Sequence, residues 1–229
     1  MNKNQMKSKI VTSNQLDIHE ELINILVKYS CEEYKRPIAD FSLKTFKEIL
    51  TWVDRFDGKE IVLDLGCGTG ESSFNLAKIY PNRLVIGIDK SFSRIERKNN
   101  FKKDLPSNVM IVRGELLDLC FLFYKATIQQ RLIVYKQYLF YPNPWPKKKL
   151  IKRRFHANPV FAFMMKTSKQ FELRTNWKIY AEEFLIASQF YEAKDVKIEE
   201  FTPTETISNF EQKYLLSDHN LFKVQVTRS

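Results

Sequence analysis

The sequence has few of the residues that build disulfide frameworks or metal sites. Its 229 residues include three cysteines and three histidines. Cys31, Cys67 and Cys120 are odd in number and far apart, and none forms a CxxC pair. This pattern excludes a disulfide framework and predicts a reducing cytoplasm. The histidines are dispersed, so neither metal-ligand spacing nor a Ser/His/Asp pattern is present.

Long apolar runs are also absent. No run approaches the roughly 18 residues that a transmembrane helix needs, so the sequence predicts no membrane span. The first residues, MNKNQMKSKIVTS, lack the apolar core of a signal peptide. We expect residues 1–13 to be a disordered basic tail. No Pro/Gly/Ser-rich linker divides the remainder, which predicts a single domain with an N-terminal helical extension over residues 14–229.

Positive charge is in excess. The chain carries 37 Lys and Arg against 27 Asp and Glu, a formal net charge of +10. This balance favours a polyanionic partner such as nucleic acid or an anionic surface. The alternative is a protein that is basic without any such partner.

Short apolar segments alternate with helical patterns, which predicts an α/β fold with a mostly parallel sheet covered on both sides. The last two strands are expected to pair antiparallel. The predicted strands span residues 60–66, 83–89, 108–114, 132–141, 169–175, 195–201 and 221–227. The predicted helices span residues 15–30, 38–54, 71–80, 91–102, 159–168 and 177–191.

A glycine-rich loop follows the first predicted strand and opens a helix. It reads Asp64-Leu-Gly66-Cys-Gly68-Thr-Gly70. Glycine allows a sharp turn and a close approach of backbone to a ligand. The spacing is GxGxG followed by Glu71, whereas a dinucleotide site would have GxGxxG. The carboxylate of Asp64 also suits a cationic amino-acid group better than a pyrophosphate.

Acidic residues follow the next two strands. Asp89 ends the second, where an acid can bind both hydroxyls of a ribose. Glu115 follows the third and could accept a hydrogen bond from an adenine amino group, or could simply be an acid favoured at a helix N-terminus. Together these groups predict S-adenosylmethionine as the cofactor. The alternative is a tight turn beside a solvated aspartate.

The segment YPNPWPKKKLIKRRF, residues 141–155, follows the fourth predicted strand at the same edge of the sheet. Its prolines fix φ and stiffen the chain. We expect Asn143 to point its carboxamide toward the methyl donor and Trp145 to offer a flat face for a base. The basic residues that follow can bind phosphates, although a solvated helix face is the alternative. They are Lys147, Lys148, Lys149, Lys152, Arg153 and Arg154.

Several motifs together resemble the tRNA (guanine-N7)-methyltransferases. They are the glycine loop, Asp89, the (Y/F)P-x-PWPKK…KRR segment, T-x-W-x-x-YAE from Thr175 and (S/T)-x-FE-x-K from Ser208. The resemblance runs from about residue 35 to 228. It implies a Rossmann-like class I methyltransferase fold with a mostly parallel seven-stranded sheet. It also implies S-adenosylmethionine as donor and N7 of a guanine in the tRNA variable loop as acceptor.

Carried over position by position, the resemblance assigns cofactor contacts to three acids and a substrate contact to Lys147. It also implies a substrate-side segment that begins at Ser208. Asn176 is a further substrate candidate, the alternative being an N-cap of the next helix. The predicted catalytic residue is Asn143. The predicted cofactor residues are Asp64, Gly66, Gly68, Gly70, Asp89 and Glu115. The predicted substrate residues are Trp145, Lys147, Lys148, Arg153, Arg154, Asn176, Ser208, Asn209, Phe210 and Glu211.

Three positions depart from the family pattern. Asn143 stands where the family has the aspartate of PDPW, Asn176 replaces the aspartate of TDW, and Ser208 replaces a threonine. Guanine N7 carries no proton, so methyl transfer to it needs no general base. It does need alignment and a polar environment for the cation that forms. A carboxylate stabilises that cation better than a carboxamide, so Asn143 is expected to weaken the reaction and not to abolish it.

Two other functions stay open at this stage. Asn-Pro at a strand end loosely resembles the NPP(Y/F/W) motif of enzymes that methylate exocyclic amines, which would mean a different or small-molecule acceptor. A catalytically weak paralogue that binds RNA without turnover is the second alternative. The sequence leaves a monomer and a homodimer equally open.

Overall fold

A computed structural model gives the positions of residues 7–31, 35–56, 60–96 and 106–228. The described chain contains a seven-stranded sheet in the order β3-β2-β1-β4-β5-β7-β6. Neighbours among β1 to β5 are parallel, and β7 runs antiparallel between β5 and β6. This confirms the predicted α/β class and the antiparallel closing pair. The strands are β1 Ile61–Leu65, β2 Leu84–Asp89, β3 Val109–Arg113, β4 Val134–Phe140, β5 Ser168–Thr175, β6 Asp195–Glu200 and β7 Phe222–Thr227.

Helices connect most of the strands. They are α1 Leu22–Cys31, α2 Asp40–Val53, α3 Glu71–Ile79, α4 Phe92–Glu96, α5 Leu116–Ile128, α6 Phe161–Thr167, α7 Lys178–Phe190 and α8 Asn209–Leu215. Two 3₁₀ turns, Lys148–Arg153 and Phe155–Ala157, follow β4. No helix in the described ranges has the length and apolar character needed to cross a bilayer.

The strands of the sheet's centre are buried on both faces. All residues of β1 and β2 are buried, as expected for continuous apolar runs in a parallel sheet. Because side chains alternate along a strand, Leu63 and its i±2 neighbours join one core cluster, which includes residues of α1, α2, α5 and α7. Val62 points the other way and packs with Leu76 and Ala77 of α3. Helices therefore cover both faces.

The first predicted helix begins later than expected. Residues 15–20 are not helical, and α1 starts at Leu22. Leu16, assigned to the apolar face, is 91% exposed, whereas Gln15 and His19 are buried. In the predicted tail, Ser8 N–H donates to Ser217 Oγ over 2.9 Å. Residues 1–6, and residues 97–102 of the predicted fourth helix, lie outside the described residues.

Helix α5 was not predicted. Its sequence, LLDLCFLFYKATI, is apolar around much of its circumference, so it shows no clean helical stripe. The structure explains this because α5 packs between α2 and α6. Phe123 contacts Phe46 with ring centroids 5.2 Å apart, and Phe121 contacts Phe163 at 4.9 Å. The buried carboxylate of Asp118 accepts the hydroxyl of Ser42 over 2.9 Å.

Candidate active site

The candidate site lies at the carboxyl edge of the sheet, between β1 and β4. β1 pairs with β2 on one side and with β4 on the other, so the chain order reverses at this point. Such a crevice is the usual ligand site of an open α/β sheet. The glycine loop, residues 66–70, follows β1, and the proline loop, residues 141–146, follows β4. The two predicted loops are therefore brought to neighbouring strands.

The glycine loop is braced against β2. The N–H groups of Gly66 and Cys67 both donate to Ile88 O, over 2.8 and 2.9 Å. Gly66, Gly68 and Gly70 have φ of +82°, +61° and +90°, a region that side chains other than glycine rarely occupy. A Cβ on Gly68 would meet nothing within 4 Å, whereas one on Gly70 would collide with the side chain of Ile111. The open space at Gly68 is room for a ligand.

Asp64 is a buried carboxylate with one satisfied oxygen. Its Oδ2 accepts the hydroxyls of Ser72 and Ser73, each over 2.6 Å. Its Oδ1 is buried with no hydrogen-bond partner among the described residues. Burial raises the pKa of Asp64 to about 6, although the two serine hydroxyls act in the opposite direction. An orphaned carboxylate oxygen beside an open glycine loop is suited to receive a cationic ligand.

Asp89 links the glycine loop to β2. Its Oδ2 accepts the N–H of Gly68 over 3.0 Å, and its Oδ1 accepts the N–H of Ser91 over 2.8 Å. Arg94 forms an ion pair with Oδ1 at 3.3 Å. A carboxylate offers about four acceptor positions, so Oδ2 keeps capacity for a ligand hydroxyl.

Glu115 is half-buried and occupies the N-cap position of α5, but its side chain makes no capping bond. Its carboxylate has no hydrogen bond or ion pair to the residues that the structure describes.

The proline loop has a strained backbone. Tyr141 and Trp145 have φ of 49° and 45°, which costs about 1–3 kcal/mol at each non-glycine residue. Asn143 is exposed, and its Oδ1 accepts the N–H of Trp145 over 3.2 Å. This side-chain turn helps to hold the left-handed residue. The predicted orientation of the carboxamide toward a methyl donor stays a prediction.

Trp145 is half-buried. The guanidinium of Arg153 lies 4.7 Å from the ring centroid, a cation–π contact. One face of the indole is therefore covered, so a stacked base would use the other face or displace Arg153.

The basic residues after the loop do not all reach solvent. Lys147, Lys149, Lys152 and Arg153 are exposed. Arg154 is wrongly assigned to phosphate binding because it is 0% exposed and forms an ion pair with the buried Glu183. The exposed part of the predicted charged surface is thus Lys147, Lys149, Lys152 and Arg153.

A cavity of about 630 Å³ lies beside these lysines and not over the glycine loop. Its lining residues are Thr12, Ser13, Asn14, Pro146, Lys147, Lys148 and Lys149. Polar residues of the N-terminal segment and three lysines therefore form one concave surface next to the proline loop.

The segment from Ser208 begins helix α8. Ser208 is its N-cap, and its Oγ accepts the N–H of Glu211 over 3.2 Å. Asn209 and Phe210 are exposed. Glu211 is 0% exposed, and its carboxylate is bound by Tyr141 Oη at 2.7 Å and by the N–H of Ile207 at 2.9 Å. Glu211 is therefore wrongly assigned to substrate binding, since its side chain is an internal anchor.

The alternative role for Asn176, the N-cap of α7, is wrong. That position is Trp177, whose N–H donates to Thr175 Oγ1 over 3.2 Å. The side chain of Asn176 instead bonds to the ring Nδ1 of His219 over 2.9 Å. Its substrate role stays a prediction.

Two residues outside the predicted set of site residues shape the loop. Tyr141 is buried, and Arg174 bonds both Glu172 and Glu211 over 2.9–3.2 Å. His156 is fully buried against Glu183. Tyr141 and Arg174 lie at strand ends near the predicted site, which is the only local sign of their role. Their shared partner, Glu211, lies far along the chain.

Strand order, the glycine loop and the acid after β2 define a class I methyltransferase fold. The solved 16S rRNA methyltransferase KamB superposes with a TM-score of 0.55 and 17% identity, covering 85% of this chain and 95% of that chain. An antibiotic-related methyltransferase gives a TM-score of 0.54 and 19% identity, covering 79% and 93%. At these identities the likeness shows the fold.

The family follows from the sequence match. Residues 58–224 match the family described as "Putative methyltransferase", and the chain belongs to this family. The tRNA (guanine-N(7)-)-methyltransferase of Mycoplasma genitalium is 25% identical over 178 residues, which cover 70% of this chain and 80% of that protein. The enzyme of that name from Nitrosococcus oceani is 26% identical, covering 74% and 72%. The one from Jannaschia is 26% identical, covering 63% and 60%.

The cofactor of this class is S-adenosylmethionine, and the residues fit it. Asp64 Oδ1 would hold its ammonium group, Asp89 its ribose and Glu115 its adenine, with the backbone of Gly66 and Gly68 alongside. The fit rests on the orphaned oxygen of Asp64 and the open space at Gly68. When bound, this cofactor supplies an electrophilic sulfonium methyl group.

Cofactor affinity should depend on pH through Asp64. With a pKa of about 6 in the free protein, Asp64 is ionised at pH 8 and protonated at pH 5. A carboxylic acid binds an ammonium poorly, so affinity should fall below pH 6 by up to about tenfold per pH unit. Calorimetry with S-adenosylhomocysteine from pH 5 to 8 measures this dependence. An affinity that does not change over that range would contradict the prediction.

Proposed function

We propose that this protein transfers the methyl group of S-adenosylmethionine to N7 of a guanine in tRNA. The observation that carries the proposal is that the proline loop and its lysines lie at the end of β4, on the strand next to the glycine loop. The curated relatives that match the chain are named for this activity. The net charge of +10 suits a polyanionic substrate.

The chain's part in the reaction is binding and alignment. The cofactor would supply its sulfonium methyl group to the N7 lone pair and would keep the electrons of the broken carbon–sulfur bond. The positive charge thereby moves to the guanine ring. No proton leaves N7, so no side chain has to act as a base. Asn143 would face the developing cation with a partial charge only.

Exposed lysines and one side of Trp145 support RNA binding. Lys147 and Lys149 are exposed beside the cavity and would bind phosphates, while Asn209 and Phe210 are the exposed members of the second substrate segment. The three cysteines are free, which supports a cytoplasmic location.

A labelled-methyl assay with bulk tRNA followed by nucleoside analysis tests the proposal. N7-methylguanosine is the expected product. Methyl groups on another atom would indicate a different acceptor. Binding of tRNA with no methyl transfer would indicate an RNA-binding paralogue. Either of the last two results overturns the proposal.

Replacing Asn143 with aspartate should raise the rate of tRNA methylation. A carboxylate can accept the N–H of Trp145 as the carboxamide does, so the loop should keep its shape. Its full charge should stabilise the forming cation by about 1 kcal/mol, which is roughly a three- to tenfold gain. Single-turnover kinetics with tRNA measure the change.

Asn158→Asp is the matched control, because Asn158 Oδ1 accepts the N–H of Val160 over 3.1 Å in the same turn geometry. It should leave the rate unchanged. A large loss in Asn143→Asp would show that the amide has its own role, and would point to another acceptor.

A further inference from the structure

The proline loop has few hydrogen-bond donors with which to fix its position. Pro142, Pro144 and Pro146 lack an N–H. At its start the loop is held through the N–H and hydroxyl of Tyr141. Beyond Tyr141 its carbonyl oxygens are the main backbone groups available, so groups that bind them help to fix where Trp145 lies.

Three carbonyl oxygens in and just after the loop are bound from outside it. Arg154 donates to Trp145 O from Nη2 at 3.2 Å and from Nε at 3.4 Å. The hydroxyl of Ser13 donates to Pro146 O over 2.5 Å. His19 Nε2 bonds to Lys148 O over 3.2 Å. Two of these groups belong to the N-terminal segment, which is more than a hundred residues away in the sequence.

The same groups meet at one buried carboxylate. Glu183 Oε1 accepts Gln15 Nε2 over 2.7 Å and the N–H of His19 over 3.0 Å. Its Oε2 accepts Arg154 Nη1 over 2.5 Å and His156 Nε2 over 2.8 Å. All four acceptor positions of the carboxylate are thus used.

Arg154 joins this centre to the loop. Besides Glu183 and Trp145 O, it donates to Gln15 Oε1 over 2.9 Å. Its guanidinium also lies 4.7 Å from the ring centroid of Trp177. Arginine serves these three acceptors from three separate nitrogens of one rigid fork, a spread of donors that the single nitrogen of lysine does not have. A buried ion pair of this kind sets geometry more than it adds stability.

We propose that residues 13–19 and the buried Arg154–Glu183 pair form a brace that holds the proline loop in the position needed for methyl transfer. Arg154 is then a positioning residue that touches neither cofactor nor substrate, and Ser13, which lines the cavity beside the lysines, acts on the loop through its bond to Pro146 O. The glycine loop has separate anchors on Ile88 and Asp89, so loosening the brace leaves cofactor binding intact. The activity part of this inference rests on the proposed function.

Arg154→Lys tests the brace while keeping a positive charge beside Glu183. Lysine cannot reach Glu183, Gln15 and Trp145 O together. Amide hydrogen exchange in peptides covering residues 141–155 should become roughly tenfold faster, as expected when hydrogen bonds to a charged group are lost. The turnover number on tRNA should fall about tenfold with a smaller change in KM, and S-adenosylhomocysteine affinity should stay within about twofold. Arg131→Lys is the control, since Arg131 pairs with Asp54 at the surface.

A serine series provides a test that does not disturb the buried ion pair. Ser13→Ala removes the bond to Pro146 O and the acceptor of the Gln15 N–H but leaves Arg154 and Glu183 in place, and Ser13→Thr keeps the hydroxyl. Loop exchange should rise in the first variant and return toward the wild-type rate in the second, and tRNA turnover should follow. Ser30→Ala is the matched control, because Ser30 Oγ donates to a backbone carbonyl of α1 over 2.8 Å, outside the brace.

Loop exchange and turnover that stay unchanged in folded Ser13→Ala and Arg154→Lys would overturn the brace. Cofactor affinity that falls together with turnover would overturn it too, because the residues would then support the whole site. If the wild-type protein methylates no tRNA, the proposed function is wrong. The hydrogen-exchange measurements alone then test whether the brace holds the loop. If Arg154→Lys does not fold, the serine series decides it.

Discussion

Replacing Arg154 with methionine is expected to lower the free energy of unfolding by about 3–5 kcal/mol. The side chain is fully buried, and the change leaves the carboxylate of Glu183 without its compensating charge. Burial alone would raise the pKa of Glu183, but the bonds and charge from His156 and Arg154 hold it at about 2. Glu183 is therefore ionised at neutral pH. Thermal unfolding should show a loss of roughly 10 °C in Tm.

Two further variants show whether the uncompensated charge is the cause. Arg154→Met combined with Glu183→Gln should recover a large part of the lost stability, because neither buried charge is then left alone. Arg131→Met removes an arginine from an ion pair in which both side chains are about half exposed, and should cost less than about 1 kcal/mol. A double variant no more stable than Arg154→Met would contradict the explanation.

The strands could be predicted because their signal is local. β1 and β2 are mostly apolar runs of five and six residues, and β4 has seven residues that are mostly apolar or aromatic around Lys136 and Gln137. Each lies where its pattern placed it. The closing pair β6 and β7 was predicted in the same way. The glycine loop could also be predicted, because φ values near +60° to +90° restrict the residue type at those positions.

Local patterns could not predict which residues of the basic run are exposed and which are buried. Neighbouring residues Arg153 and Arg154 look alike in sequence, but one is exposed and the other is the largest fully buried side chain among those described. The difference depends on Glu183, 29 residues later, and on Gln15, 139 residues earlier. Such contacts leave no local pattern.

For Ser208 and Glu211 a local sequence pattern did indicate the structure, but the prediction did not follow it. A serine followed three residues later by glutamate is the signature of a helix N-terminus. The structure shows this helix start, but the sequence reasoning treated the pair as substrate contacts. The capping pattern predicted the helix start correctly, whereas the resemblance to the methyltransferase family led to the substrate assignment.

Two buried carboxylates hold the two ends of the proline loop. Glu211 fixes Tyr141 at its start through a 2.7 Å bond. Glu183 fixes Trp145 near its end through Arg154. The two residues with left-handed backbone in this segment, Tyr141 and Trp145, are thus the two that the carboxylates hold. Strain in the loop is offset by anchors outside it, as expected where a backbone must present groups to a ligand.

Replacing Asp64 with asparagine should change cofactor affinity and stability in opposite directions. Loss of a charge-assisted bond to the cofactor's ammonium should weaken S-adenosylhomocysteine binding by about 10- to 100-fold at pH 8. The carboxyl has a pKa raised from 3.8 to about 6 on folding. Such a group opposes folding increasingly as pH rises from 4 to 6 and fully above that range, by about 3 kcal/mol in the limit.

The variant should therefore unfold at a temperature equal to or above that of the wild type at pH 8, and the gap should close toward pH 4. Asparagine can still accept one serine hydroxyl through its oxygen, so the local structure should persist. Calorimetric binding and thermal unfolding of the same samples measure both effects. A variant that binds as tightly as the wild type would show that Asp64 does not hold the ammonium. One that binds weakly and is also destabilised at pH 8 would show that its carboxylate is needed for the fold itself.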